Sequence, residues 1–158
     1  MTPREATAAA MAYFESCDDV ALLHELIGEV ALRAKRMIGA FIAKGGEESI
    51  PGPADLRAAR DPLPKADAVK VFRMASDFQL LQVLARAIGQ RIEAIEIAAS
   101  AEFPQGVRVR VPERPAYPAQ ARRLEGEVES SGTVLQVLLD NGETWQGPPS
   151  LAQLAART

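Results

Sequence analysis

Apolar residues recur at helical spacing through the first two thirds of the chain and at strand spacing through the last third. Val20, Leu23, Ile27, Val30, Ala34, Met37 and Phe41 are separated by three and four residues in alternation, the stripe of a coiled-coil-like seam. Leu22, Leu26, Ile38 and Ile42 widen that stripe, which suits a bundle more than a bare two-stranded coil. Val71, Met74, Phe78, Leu81, Ala85, Ile88, Ile92 and Ile95 repeat the spacing, so a further helix is expected over about 66–101. The matching stripes predict a long antiparallel helix hairpin. A competing reading places a short strand at 68–74, where Val69, Val71 and Arg73 alternate with Lys70, Phe72 and Met74, and starts the helix near Asp77 behind a Ser76 cap.

Local signals mark the boundaries. Thr2, Pro3 and Glu5 form a capping-box start, and the Ala-rich run to about Glu15 favours helix. Ser16 and Asp19 repeat the cap pattern, so the next helix should begin near Cys17 or Asp18. Gly45–Gly46 is its expected C-cap. Residues 45–64 carry Ile50-Pro51-Gly52-Pro53 and Asp61-Pro62-Leu63-Pro64 and read as a linker, with room for one short turn from Ala54 to Arg60. Gly28 and Gly89 stand inside helices, each at a cost near ~1 kcal/mol against alanine, which is tolerated where two backbones cross closely.

Beyond Phe103-Pro104-Gln105-Gly106 the period falls to two. Val107, Val109 and Val111 alternate with Arg108 and Arg110, a half-buried strand. Pro112, Pro115 and Pro118 make an extended crossing. A more polar strand follows over Leu124–Glu129, then a Ser130-Ser131-Gly132 turn and a strand from Thr133 to Leu139. Asp140-Asn141-Gly142 predicts a type I′ hairpin and Glu143–Gln146 the return strand. Ser150 is placed to cap a terminal helix from Leu151 to Arg157. The reading is therefore α+β. A helical body over 1–106 precedes a small antiparallel β-module with a short C-terminal helix over 107–158.

Composition narrows the class. A 158-residue chain with 47% hydrophobic residues can build a core without disulfides, and Cys17 is its single cysteine. No secretory leader and no uninterrupted apolar span is evident, so a cytoplasmic protein without membrane association is expected. The net charge of −3 argues against unspecific polyanion binding by the whole surface. That excess acid lies entirely in 1–106, and from 107 to 123 five arginines face Glu113 alone.

Chemistry-bearing residues are sparse. His24 is the single histidine, and Gly28 one turn on supplies no partner for metal or base chemistry. Cys17 near a helix start has Asp18 and Asp19 beside it, which oppose a lowered thiol pKa. Glu47–Glu48 and the strand-face trio Glu125, Glu127 and Glu129 read first as solvated charge. Neither catalytic residues nor a metal or cofactor site is assigned. The arginines carry the strongest functional signal. Arg108 and Arg110 share one strand face about 7 Å apart, near a phosphate spacing, and Arg114, Tyr117, Arg122 and Arg123 follow. The bland counterpart is an edge-protecting face paired to the glutamate strand.

The tail Val137-Leu138-Leu139-Asp140-Asn141-Gly142-Glu143-Thr144-Trp145-Gln146-Gly147-Pro148-Pro149-Ser150-Leu151-Ala152-Gln153-Leu154-Ala155 resembles the restriction-methylase-associated module and related small bacterial proteins found with mobile elements. Gly142, Gly147, Ser150 and Ala152 carry the resemblance. It implies DNA binding and assigns no site residue. The usual aromatic between the second glycine and the serine, and the closing Gly-Trp segment, are missing here.

The expectation is a non-enzymatic adaptor or inhibitor-type protein. It would self-associate, as a dimer, along Val20, Leu23, Ile27, Val30, Met37, Phe41, Phe78, Leu81, Ile88, Ile92 and Ile95. The Arg-bearing module would engage an anionic or protein partner. One alternative is DNA or RNA binding through the arginines. Another is a nucleotide-like small molecule near Trp145 and Tyr117.

Overall fold

The structure, a computed structural model, describes residues 2–43 and 61–155, and the side chains of 2–37 and 61–155. Thr2 opens α1 (Pro3–Glu15): its hydroxyl accepts the Glu5 N–H at 3.1 Å, and Pro3 follows at the first helical position. α2 (Val20–Ala43) begins at Val20 rather than at Cys17 or Asp18, and Asp19 caps it by accepting the Leu22 N–H at 3.1 Å. Ser16 instead ends α1. The expected C-cap at Gly45–Gly46 and the short turn over 54–60 lie outside the described residues.

The expected helix over 66–101 is two helices, α3 (Lys65–Met74) and α4 (Phe78–Ser100). No strand forms at 68–74. The break sits at Ala75-Ser76-Asp77, where the Asp77 carboxylate accepts the N–H of Gln79 at 2.8 Å and of Leu80 at 3.3 Å. A good N-cap outweighs the continuous apolar stripe, because it satisfies donors that the new helix start exposes. Arg33 of α2 closes the other side of the break. Its guanidinium donates to the carbonyls of Phe72 (2.7 Å) and Ala75 (2.9 Å) and lies 5.1 Å from the Phe72 ring centre. It completes the C-terminus of α3, and Glu29 of α2 faces Arg73 at 3.4 Å.

The chain forms two compact units, Met1–Arg91 and Ile92–Thr158. In the first, α1 packs on α3, with Phe14 edge-on to Phe72 and both fully buried. Leu23, Leu26, Leu81, Leu84 and Ile88 are also fully buried there. Arg91 donates to the Cys17 carbonyl at 2.8 Å, so α4 ends its run through this unit beside the start of α2. With Arg33 tied to the residues just before α4, the two long helices run in opposite directions. Gly28 and Gly89 have open space where a Cβ would stand, so close backbone crossing does not explain them.

The second unit is a five-stranded antiparallel sheet in the order β4-β3-β2-β1-β5, preceded by the last turns of α4. Its strands are β1 (Arg108–Pro112), β2 (Arg123–Ser130), β3 (Leu135–Leu139), β4 (Thr144–Gly147) and β5 (Gln153–Leu154). Period-two alternation sends Val109, Val111, Val128, Leu135, Val137, Leu139 and Trp145 to one face, where Phe103 and Leu151 complete the core. Gly126 opposes Leu139 there, and a Cβ on it would lie 2.5 Å from the Leu138 carbonyl oxygen.

Two expectations change. The 140–142 hairpin forms, but Gly142 (φ +90°) alone turns left-handed, since no described non-glycine residue has positive φ. The Gly142 N–H bonds to the Leu139 carbonyl at 2.9 Å, so this is a type I turn closed by a left-handed glycine, not type I′. The short C-terminal helix is a single 3-10 turn, Pro149–Leu151. Residues 153–154, expected as helix, pair with β1 as β5. The Ser150 hydroxyl caps no helix because Glu96 and Tyr117 engage it.

Candidate functional site

The alternation that buries the valines of β1 leaves Arg108 and Arg110 on the open face of the sheet. Strand register fixes their neighbours. Arg108 stands opposite Glu127, which stands opposite Leu138, which stands opposite Thr144; Arg110 stands opposite Glu125. Arg108 reaches diagonally and grips Asp140 with both guanidinium nitrogens, Nη1 to Oδ1 at 2.7 Å and Nη2 to Oδ2 at 2.5 Å. Glu125 lies 3.7 Å from Arg108 and 3.9 Å from Arg110. The bidentate bond to Arg108 holds the Asp140 carboxyl below its ordinary range, and the same bond raises the Arg108 pKa. Glu127 and Glu129 have no ion pair within 4.0 Å among the described residues. They line an open groove of about 340 Å³ with Gln105, Val128 and Leu138. Leu138 is 43% exposed on this polar face.

The other expected arginines do not join this face as one patch. Arg114 and Arg122 lie exposed on the connection between β1 and β2, Arg122 at 3.7 Å from Glu113. Arg123 turns to the Leu151 carbonyl at 2.9 Å. Tyr117, which precedes a cis proline, is half-buried against the core and bonds Ser150 at 2.7 Å. Trp145 lies in that core, and its indole N–H donates to the Pro112 carbonyl at 2.9 Å.

Sequence reasoning missed a buried polar cluster. Glu96, 3% exposed on α4, accepts the Ser150 N–H at 2.9 Å and the Ser150 hydroxyl at 2.8 Å on its two oxygens. Burial pushes the Tyr117 phenol up, and the Glu96 charge adds to this. A signal was present: Glu96 stands one residue beyond Ile95 and one turn beyond Ile92, beside the apolar stripe rather than opposite it.

In the helical unit, Leu23, Leu81 and Ile88 of the expected seam are buried, and Val20, Ile27, Val30, Met37 and Phe78 are half-buried. Ile92 and Ile95, in the second unit, are also half-buried. The Phe41 side chain lies outside the described residues, as does the Glu47–Glu48 pair. The Cys17 thiol is buried and donates to the Tyr13 hydroxyl at 3.6 Å. Asp18 pairs with Arg91 at 2.7 Å and Asp19 with Lys65 at 2.6 Å. His24 is half-buried on α2. Among the described residues no group of three or more His, Cys, Asp or Glu is placed to hold a metal ion, and no helix is long and apolar enough to cross a membrane.

No family model, no curated protein and no solved structure matches the chain.

Proposed function

We propose that this is a non-enzymatic, cytoplasmic interaction protein whose sheet engages a macromolecular partner through its open face. One observation carries the reading. An exposed face links Arg108, Arg110, Glu125 and Asp140 by ion pairs, with the Arg108–Asp140 fork on the same face as the exposed Leu138. Ordered charge around one apolar residue suits a protein surface, where complementary charge sets orientation and a small apolar contact supplies affinity. Self-association belongs to the same proposal. Leu32 of α2 and Met74 of α3, both 70% exposed, support it.

Nucleic-acid binding is the alternative. The tail's resemblance and the exposed Arg114 and Arg122 favour it. The carboxylates at Arg108 and Arg110 weigh against it, since a phosphate would have to displace them. A small-molecule site near Trp145 would require opening the core.

Affinity capture with wild type, Arg108→Ala/Arg110→Ala and Leu138→Asp, beside a gel shift on duplex DNA and single-stranded RNA at low salt, tests the reading. The proposal expects a protein that wild type retains and both variants lose, with no shifted nucleic acid. A shift that falls steeply with salt and disappears in the arginine variant would replace it with the nucleic-acid reading.

A further inference from the structure

We propose that the Glu96 carboxylate is a pH-sensitive catch for the C-terminal strand. While ionised it keeps β5 on β1, and on protonation β5 lifts and frees the backbone edge at Arg108 and Arg110. Among the described residues, little holds β5 beyond its ladder. It contributes two ladder residues, Gln153 against Arg110 and Leu154 against Val109, and the Ala155 N–H adds a bond to the Arg108 carbonyl at 3.1 Å. Both strand side chains are exposed, Leu154 by 58%, so burial of apolar surface anchors β5 weakly. The chain is fixed one turn earlier. Leu151 and Ala152 sit in the core, and the Pro149–Leu151 turn is held by Arg123 on the Leu151 carbonyl and by Glu96 and Tyr117 on Ser150. The position of Ser150 therefore sets how the chain leaves Ala152 toward β1.

The hydrogen bonds have a direction. Ser150 spends its hydroxyl proton on Glu96, so the Tyr117 hydroxyl is the donor to Ser150 Oγ. Donation runs Tyr117 to Ser150 to Glu96 and ends on a buried negative charge. On protonation of Glu96 its two charge-assisted bonds from Ser150 become bonds to a neutral carboxyl, about half as strong.

Other ionisable groups stand around the cluster among the described residues. Tyr117 stays protonated, because burial pushes its phenol up. Arg123 donates to the Leu151 carbonyl. Glu93, one turn earlier on α4, is exposed. The carboxylates nearest β1, Asp140 and Glu125, lie on the opposite face with Arg108 and Arg110. The ionised form makes the bonds, so the catch holds above the folded-state pKa of Glu96 and weakens as pH falls through it.

The freed edge has definite chemistry. Odd-numbered residues of β1 face β2 in the ladder, as the Val128 N–H to Val107 carbonyl bond shows, so the backbone groups of Arg108 and Arg110 face β5. Lifting β5 opens them to pairing with an extended segment.

Amide hydrogen exchange of the full chain tests this, with the Glu96 carboxyl titration followed by NMR in the same samples. The Ala155 protection factor should fall roughly tenfold as Glu96 protonates, while that of Val128 stays constant. Glu96→Gln should show the reduced Ala155 value at neutral pH and no further pH dependence. Ser150→Ala, which keeps the carboxylate, should weaken protection at neutral pH and flatten its pH dependence, and it serves if Glu96→Gln fails to fold. Asp140→Asn should retain the wild-type profile. Protection at Ala155 that ignores the Glu96 titration, or that keeps its full pH dependence in Glu96→Gln or in Ser150→Ala, overturns the proposal.

Discussion

The two faces of one sheet are built from alternate residues of the same strands and do opposite work. On β1, Val109 and Val111 are fully buried, while Arg108 and Arg110 between them stay exposed and paired to carboxylates. On β3, Val137 is fully buried and its neighbour Leu138 is 43% exposed. The inner face binds the unit together through apolar burial, worth about 1.5–3 kcal/mol for each large side chain. The outer face holds charge in water, where ion pairs contribute little to stability. Stability and the proposed recognition therefore sit one residue apart, and single substitutions can separate them.

The largest effect should come from the inner face. Trp145→Ala removes a 3%-exposed ring and its bond to the Pro112 carbonyl, and should cost about 3–5 kcal/mol in chemical denaturation. A loss below ~1 kcal/mol would show that the sheet has no real core. Next comes Gly126→Ala, which sets a methyl against the Leu138 carbonyl and the Leu139 backbone. The clash has rigid neighbours, so about 3 kcal/mol is expected in the same assay. The helical unit offers a contrast of opposite sign. Gly28→Ala and Gly89→Ala add Cβ atoms into open space and should each raise stability, by up to about 1 kcal/mol. A loss at either site would mean that a close neighbour stands there after all.

The smallest effects belong to the outer face. Arg108→Ala/Arg110→Ala should leave the melting temperature nearly unchanged at neutral pH, because both side chains are about half exposed. The pH dependence has a definite sign. The folded-state pKa of Asp140 is lowered below 3.8, so its contribution is complete above the ordinary carboxylate range and is lost as pH falls through the lowered value. Asp140→Asn should differ from wild type only above that window. A difference that grows on acidification would contradict the fork.

Much of the architecture was readable from period and punctuation. Val20–Phe41 and Phe78–Ile95 mark long helices, the valines of 107–111 mark β1, and Asn141-Gly142 marks the hairpin. Where the reading failed, a polar group decided the outcome. Asp77 splits a continuous apolar stripe because a side-chain cap is a local bond that periodicity does not register. Residues 153–154 leave the expected helix for strand because Ser150 is claimed by Glu96, 54 positions away in sequence. The arginines between 108 and 123 looked like one cluster, yet the connection after β1 sends Arg122 to solvent and Arg123 to the Leu151 carbonyl. Only Arg108 and Arg110, tied by strand alternation, stay together. Glu96 escaped notice because a lone glutamate beside an apolar stripe gains meaning only when its distant partner is placed.

On the proposed function, the outer face recognises a partner and contributes little to the fold. Quantitative affinity capture, comparing wild type with an Arg108→Ala/Arg110→Ala/Leu138→Asp variant of matched melting temperature, addresses it most directly. The expected result is a protein captured by wild type and lost by the folded variant. Undiminished capture of that protein by the folded variant would contradict it.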